Sequence, residues 1–178
     1  MNAQTPSGID PRGPRFGATI TSVLLLIVVA TGLESAGTVG TLAERIGQFP
    51  FLLLVVITVL FGWGAIAGVS RHPYGVAFKK FVRPRLSAPE FLESPAGPTF
   101  AQAVGFIVAA TGVVLHLAGV PFGLVGAASA AFIAAFLNAF FGYCLGCEIY
   151  LTFAKRGITF GLDKRFGGTV APETDPHI

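Results

Sequence analysis

The stretch 49-FPFLLLVVITVLFGWGAIAGV-69 decides the fold: it runs twenty-one residues without a charge. A helix of about 20 mostly apolar residues crosses a hydrocarbon core of about 30 Å. Nothing in the stretch alternates polar with apolar residues as a membrane barrel strand does. Moving outward, three more stretches share this character, at 16–33, 100–120 and 124–143. The expectation is an all-α polytopic membrane protein, one four-helix domain over 1–178 with a flexible tail at 167–178.

Composition agrees with that reading. Hydrophobic residues make up 53% of the 178 and charged residues 12%, about half the roughly 25% usual in soluble domains. A soluble enzyme with this balance would expose large apolar patches, and a disordered chain would lack the 17 Phe. Two cysteines do not make a secreted disulfide scaffold. The first stretch follows Arg12 and Arg15 as a signal peptide would. It is long, however, and ends in Thr31-Gly32-Leu33-Glu34 without a small-x-small cleavage site, so it is read as a retained span.

The twelve basic residues set the orientation. Arg12 and Arg15 precede span one, and only Arg45 lies between spans one and two. Arg71, Lys79, Lys80, Arg83 and Arg85 lie between spans two and three, and Lys155, Arg156, Lys164 and Arg165 follow span four. Eleven therefore share one side, which the positive-inside rule places in the cytoplasm. Both termini and the middle connection are expected there, in the plasma membrane of a bacterium. The basic middle connection is read as topology and contact with anionic lipid rather than nucleic-acid binding.

The halves of the chain resemble each other. Gly13-Pro14-Arg15-Phe16 matches Gly97-Pro98-Thr99-Phe100, Ala30-Thr31-Gly32 matches Ala110-Thr111-Gly112, and Phe61-Gly62-Trp63 matches Phe141-Gly142-Tyr143. Pro50-Phe51 and Pro121-Phe122 open the returning spans. Two hairpins pointing the same way make a parallel repeat about an axis along the membrane normal. That register sets Gly64 opposite Cys144 and Ala67 opposite Cys147. The Gly/Pro-rich segments 8–14 and 88–98 cannot be helical throughout.

The most specific chemical signal is Cys144-Leu145-Gly146-Cys147, followed by Glu148. Thiols three apart on one helix face suit a dithiol pair or two metal ligands; the alternative is two small hydrophobes packed in the bundle. Read as the cytosolic end of span four, the pair meets a helix C-terminus, which disfavours a thiolate. Depth then makes Cys147 the outer, reactive thiol and Cys144 the inner, resolving one. Glu148 adds a like charge, and the basic residues of the middle connection are candidates to offset it. A metal site would need His72 and Glu148 beside the thiols, and the spacing supplies no second ligand half, so no metal is expected. There is no phosphate loop, nucleophilic triad pattern or Cys-x-x-Cys-His, and no cofactor is expected. Asn138 and Gln102, polar residues inside the spans, are read as interhelical hydrogen bonds.

Several motifs, in order, carry a resemblance. They are Gly8-Ile9-Asp10-Pro11-Arg12-Gly13-Pro14-Arg15-Phe16, Arg83-Pro84-Arg85-Leu86 with Pro89-Glu90, Phe100-Ala101-Gln102, and Gly142-Tyr143-Cys144-Leu145-Gly146-Cys147-Glu148-Ile149-Tyr150. From about Ile9 to Arg156 the chain resembles the bacterial membrane-protein family called domain of unknown function 4395, common in actinobacteria. The family has no established activity. Its members are often found beside thioredoxin-like proteins and sulfurtransferases, which implies a thiol or sulfur role by association. On this reading Cys144, Cys147 and Glu148 carry the chemistry. Arg12, Arg15, Arg83 and Arg85 line the same rim, contacting an anionic sulfur species or the acidic face of a thioredoxin-like or sulfurtransferase partner. The competing class is a small transporter or accessory membrane subunit without catalytic cysteines.

Overall fold

The computed structural model describes residues 8–37 and 40–166; the expected tail at 167–178 lies outside them. The helices are α1 (Arg12–Leu33), α2 (Leu42–Ile46), α3 (Phe49–Ala67), α4 (Pro73–Ala77), α5 (Ala96–Leu117), α6 (Gly123–Phe136), α7 (Leu145–Lys155) and α8 (Leu162–Phe166). A π-helical turn, Leu137–Phe141, prolongs α6. Among the described residues the protein is all-helical, and four helices are long and apolar enough to cross a membrane: α1, α3, α5 and α6 with its π turn.

Those four close into a ring. Both α1 and α5 pack against α3 on one side and α6 on the other. Leu25 and Val28 of α1, Leu54 and Ile57 of α3, Ala109 of α5 and Leu124 and Ala128 of α6 meet in the core. Small residues permit the approach: a Cβ on Gly64 would come within 2.8 Å of the Gln102 side chain, and one on Gly112 within 2.7 Å of Ala127 Cβ. The outward faces carry Val59, Ile66, Ile107, Val114 and Ile133, each more than half exposed. Such faces are satisfied by lipid and not by water.

The helix ends differ from the sequence expectation in a consistent way. α1 begins at Arg12 and α5 at Ala96, four residues before the expected 16 and 100. Pro14 and Pro98 each sit in a first helical turn, where the missing N–H would have no intrahelical partner anyway. α3 stops at Ala67 because Gly68 turns the chain at φ 83°.

At one end of the ring α2 is held by Arg45, whose Nη1 donates to the His116 and Leu117 carbonyls at 3.1 and 2.9 Å. These are last-turn carbonyls of α5, which lack intrahelical donors and favour a cation. The isolated basic residue thus serves as a helix cap. At the other end, residues 8–11 run beside residues 87–95. Ile9 and Glu93 exchange both backbone hydrogen bonds at 2.9 Å. Buried Asp10 accepts from Arg12 Nε and Nη2 at 2.9 and 2.8 Å and lies 3.4 Å from Arg83. Arg12 also reaches the Ser87 carbonyl at 2.9 Å.

Two short helices rest on the ends of the spans that open each half. α4 packs on α1, and α7 packs on α5. Phe16 meets Phe78 with ring centroids 5.9 Å apart at 44°, and Phe100 meets Tyr150 at 5.7 Å and 42°.

Candidate functional site

The cysteine pair is positioned by the end of the fourth span. After the π turn, Gly142 adopts φ 67° and breaks the helix. A Cβ at Gly142 would overlap the Arg15 guanidinium, so the turn and the arginine share one tight space. Cys144 is in extended geometry, and α7 starts at Leu145. Cys144 is its N-cap: Sγ accepts the Cys147 N–H at 3.3 Å. Gly146 lies so close to α5 that a Cβ there would come within 2.5 Å of Ala101 Cα. Cys147 therefore faces the first turn of α5 at Gly97. Cys144 and Cys147 are joined as a disulfide, with Cα atoms 5.2 Å apart.

Two sequence expectations are overturned here. The pair is not at the C-terminus of span four; it opens a new helix, whose N-terminal N–H groups favour negative charge. The reason is local: Gly142 accepts the left-handed turn, and the chain restarts its hydrogen-bond ladder at Leu145. The order of burial is also the reverse of that expected. Cys147 is buried, 8% exposed, while Cys144 is half-buried. Access is set by the packing of α7 on α5, not by distance along a continuous helix.

Both thiol positions border a cavity of about 540 Å³ between residues 11–15, residues 87–93 and the end of span four. Arg12 and Arg15 line it; Arg83 and Arg85 do not. Arg12 and Arg83 are engaged with Asp10, and Arg85 donates to the Phe81 carbonyl. Arg15 has no carboxylate partner among the described residues and is the cation left to face an anion in this space. Glu148 is exposed and lies outside the cavity lining; its backbone N–H bonds the Cys144 carbonyl at 3.0 Å.

His72 stands apart from the thiols. It is the N-cap of α4, with Nδ1 accepting the Tyr74 N–H and Nε2 3.2 Å from the Leu60 carbonyl. Among the described residues no group of three or more His, Cys, Asp or Glu gathers closely enough to hold a metal ion.

Sequence reading passed over one residue of this space. Glu93 lines the cavity, and burial raises its carboxyl above the ordinary carboxylate value. Its position follows from the Ile9–Glu93 pairing, so matching residues 8–14 with residues 88–98 as partners would have found it. Asp10 behaves oppositely: the Arg12 hydrogen bonds hold its carboxyl below the usual value despite burial.

Four helices long and apolar enough to cross a membrane, followed by a helix that opens on a cysteine pair, define a protein of the multi-pass membrane class with a Cys-x-x-Cys pair. The family model described as Domain of unknown function (DUF4395) matches residues 9–155. The chain belongs to that family. No curated protein and no solved structure matches it.

Proposed function

We propose that this membrane protein exchanges thiols and disulfides with a thioredoxin-like partner through Cys144 and Cys147. One observation carries the reading: a Cys-x-x-Cys pair caps a helix N-terminus, with its first sulfur half-exposed on a charged cavity and its second buried. A partner thiolate attacks Cys144 Sγ, the Cys144–Cys147 bond breaks, and Cys147 leaves with the electron pair. The partner's second thiol, deprotonated, then attacks the mixed disulfide. Cys144 leaves as a thiolate facing the free N–H groups of α7. The partner is oxidised to its disulfide and the pair ends as a dithiol. Arg15, without a carboxylate partner among the described residues, is placed to meet the acidic face of the partner or an anionic sulfur group.

The test is partner trapping in membranes. With Cys147→Ser the exposed Cys144 accumulates mixed disulfides with thioredoxin-like proteins; with Cys144→Ser nothing accumulates. Equal inertness of both variants at normal protein levels would leave packing as the role of the cysteines.

The proposed setting is a bacterial plasma membrane with both termini and the cysteine pair on the cytoplasmic side, as the eleven-to-one division of basic residues favours. In a chain with both native cysteines replaced by Ser, Ser87→Cys should be shielded from impermeant reagents added to intact cells, and Gly37→Cys should be labelled.

A parallel duplication accounts for the placement of the pair. In this reading α1, α3 and α4 correspond to α5, α6 and α7, and each returning span ends at a positive-φ glycine, Gly68 or Gly142. The Phe16–Phe78 and Phe100–Tyr150 pairs support it. So do the two side-chain N-caps, His72 on α4 and Cys144 on α7. The counterpart of Cys144 is then His72 rather than Gly64. Superposition of α1 with α4 onto α5 with α7 by one rotation near the membrane normal is the geometric test of the duplication.

A further inference from the structure

Cys144 borders two cavities, not one. The charged cavity lies on its outer side. On its inner side is a second cavity of about 260 Å³, walled by α1, α3, α5 and α6 and by Leu145, Gly146 and Ile149 of α7. Pro14, Pro98, Asn138 and Cys144 form the wall common to both, while Cys147 borders only the charged one. The inner lining is apolar, with Ala101, Ala130, Ala134 and Phe61 among its residues. Three polar side chains besides Cys144 interrupt it, those of Thr21, Gln102 and Asn138. Gln102 lines the cavity while its Oε1, buried and without a hydrogen-bond partner, packs against Gly64 of α3.

From this arrangement we infer that the inner cavity binds a membrane quinone, which serves as electron acceptor for the Cys144–Cys147 dithiol. The inference rests on the thiol-exchange reading and supplies its missing half: a pair that oxidises one partner after another must itself be reoxidised. An apolar cavity of about 150 Å³ already takes a benzene ring, and 260 Å³ admits a substituted quinone head. The site sits among spans long and apolar enough to cross a membrane, where an isoprenoid tail is soluble and a water-soluble oxidant is not. The side-chain amides of Asn138 and Gln102 and the Thr21 hydroxyl are the lining groups that donate to the quinone carbonyl oxygens. The step balances. Both S–H bonds break and one S–S bond forms, and two electrons and two protons pass to the quinone, which leaves as quinol. A water-soluble dithiol and a lipid-soluble oxidant thus approach the same sulfur from opposite sides without meeting.

The experiment uses the full chain in lipid nanodiscs, reduced with dithiothreitol, desalted and mixed anaerobically with decylubiquinone. Two protein thiols should disappear for each quinone reduced. Ala134→Phe, which fills the inner cavity, should slow this at least about tenfold and leave disulfide exchange between the oxidised chain and a reduced thioredoxin unchanged. Gln102→Leu, a milder change, should raise the quinone KM with little effect on exchange. If quinone fails to oxidise the wild-type dithiol, or oxidises both variants at the wild-type rate, the inference is overturned. Because the dithiol is prepared chemically, this outcome is independent of partner exchange. Loss of exchange with quinone oxidation retained would instead sink the thioredoxin-like partner.

Discussion

The Sγ of Cys144 accepts the backbone N–H of Cys147 at 3.3 Å, so the first cysteine caps the helix that carries the second. Once the disulfide is reduced, this cap and the greater exposure of Cys144 make it the sulfur that reagents find. Iodoacetamide added to the reduced protein in membranes should modify Cys144 at least about tenfold faster than Cys147, since thiol reactivity follows access and thiolate character. Peptide mass spectrometry gives the ratio. Faster labelling of Cys147 would mean that α7 does not hold its place on α5.

Gly146 is required by that place. A Cβ there would come within 2.5 Å of both Ala101 Cα and Cβ, and backbone cannot rotate away as a side-chain tip can. Gly146→Ala should destabilise the protein by about 1–3 kcal/mol, the usual cost of overpacking. It should also raise the labelling of Cys147 by prising the first turn of α7 from α5. Thermal unfolding in detergent and alkylation rates check the two effects separately. Leu145→Ala changes a side chain that is 37% exposed and should do neither.

The Asp10 clasp has a definite pH signature. Its carboxyl is held below the ordinary value of 3.8, chiefly by the hydrogen bond from Arg12. Its stabilising contribution is therefore complete above 3.8 and is lost as pH falls through the lowered folded value. Glu93 has the opposite sign: burial raises its folded value above 4.5, so its contribution is present below 4.5 and is lost as pH rises through that folded value. Melting curves of Asp10→Asn against wild type should differ by a few degrees near neutrality and converge in acid. Glu93→Gln should differ least from wild type below 4.5. A constant offset for Asp10→Asn at every pH would show that ionisation of this group does not matter to the clasp.

Arg45 holds the far end of the bundle. Arg45→Ala removes two charged hydrogen bonds to the last carbonyls of α5, each class of bond being worth about 1.5–3 kcal/mol. The melting temperature should fall, and hydrogen exchange should increase in α2 and the last turn of α5. Arg45→Lys should recover part of the loss, because an ammonium supplies the charge without the planar fork. Full recovery would indicate that charge alone is sufficient there.

Membrane class and the presence of four spans were legible in the linear chain, because each depends on local composition: an uncharged run such as 49–69 has few other stable environments. The family was legible for a similar reason, through ordered motifs at both ends. The helix starts were displaced by one turn, since Pro14 and Pro98 read as breakers but sit where a proline costs nothing. The geometry of the thiols was decided elsewhere. Whether Cys144 ends one helix or begins another depends on Gly142 taking a left-handed turn against Arg15. Which sulfur is buried depends on Gly146 fitting against Ala101, forty-five residues away in sequence. Glu93 reaches the site only because it pairs with Ile9, and the inner cavity exists only because four helices leave a gap beneath their core. Contacts between distant segments carry no local periodicity, so the position of the pair in the chain was open to reading and its surroundings required the tertiary structure.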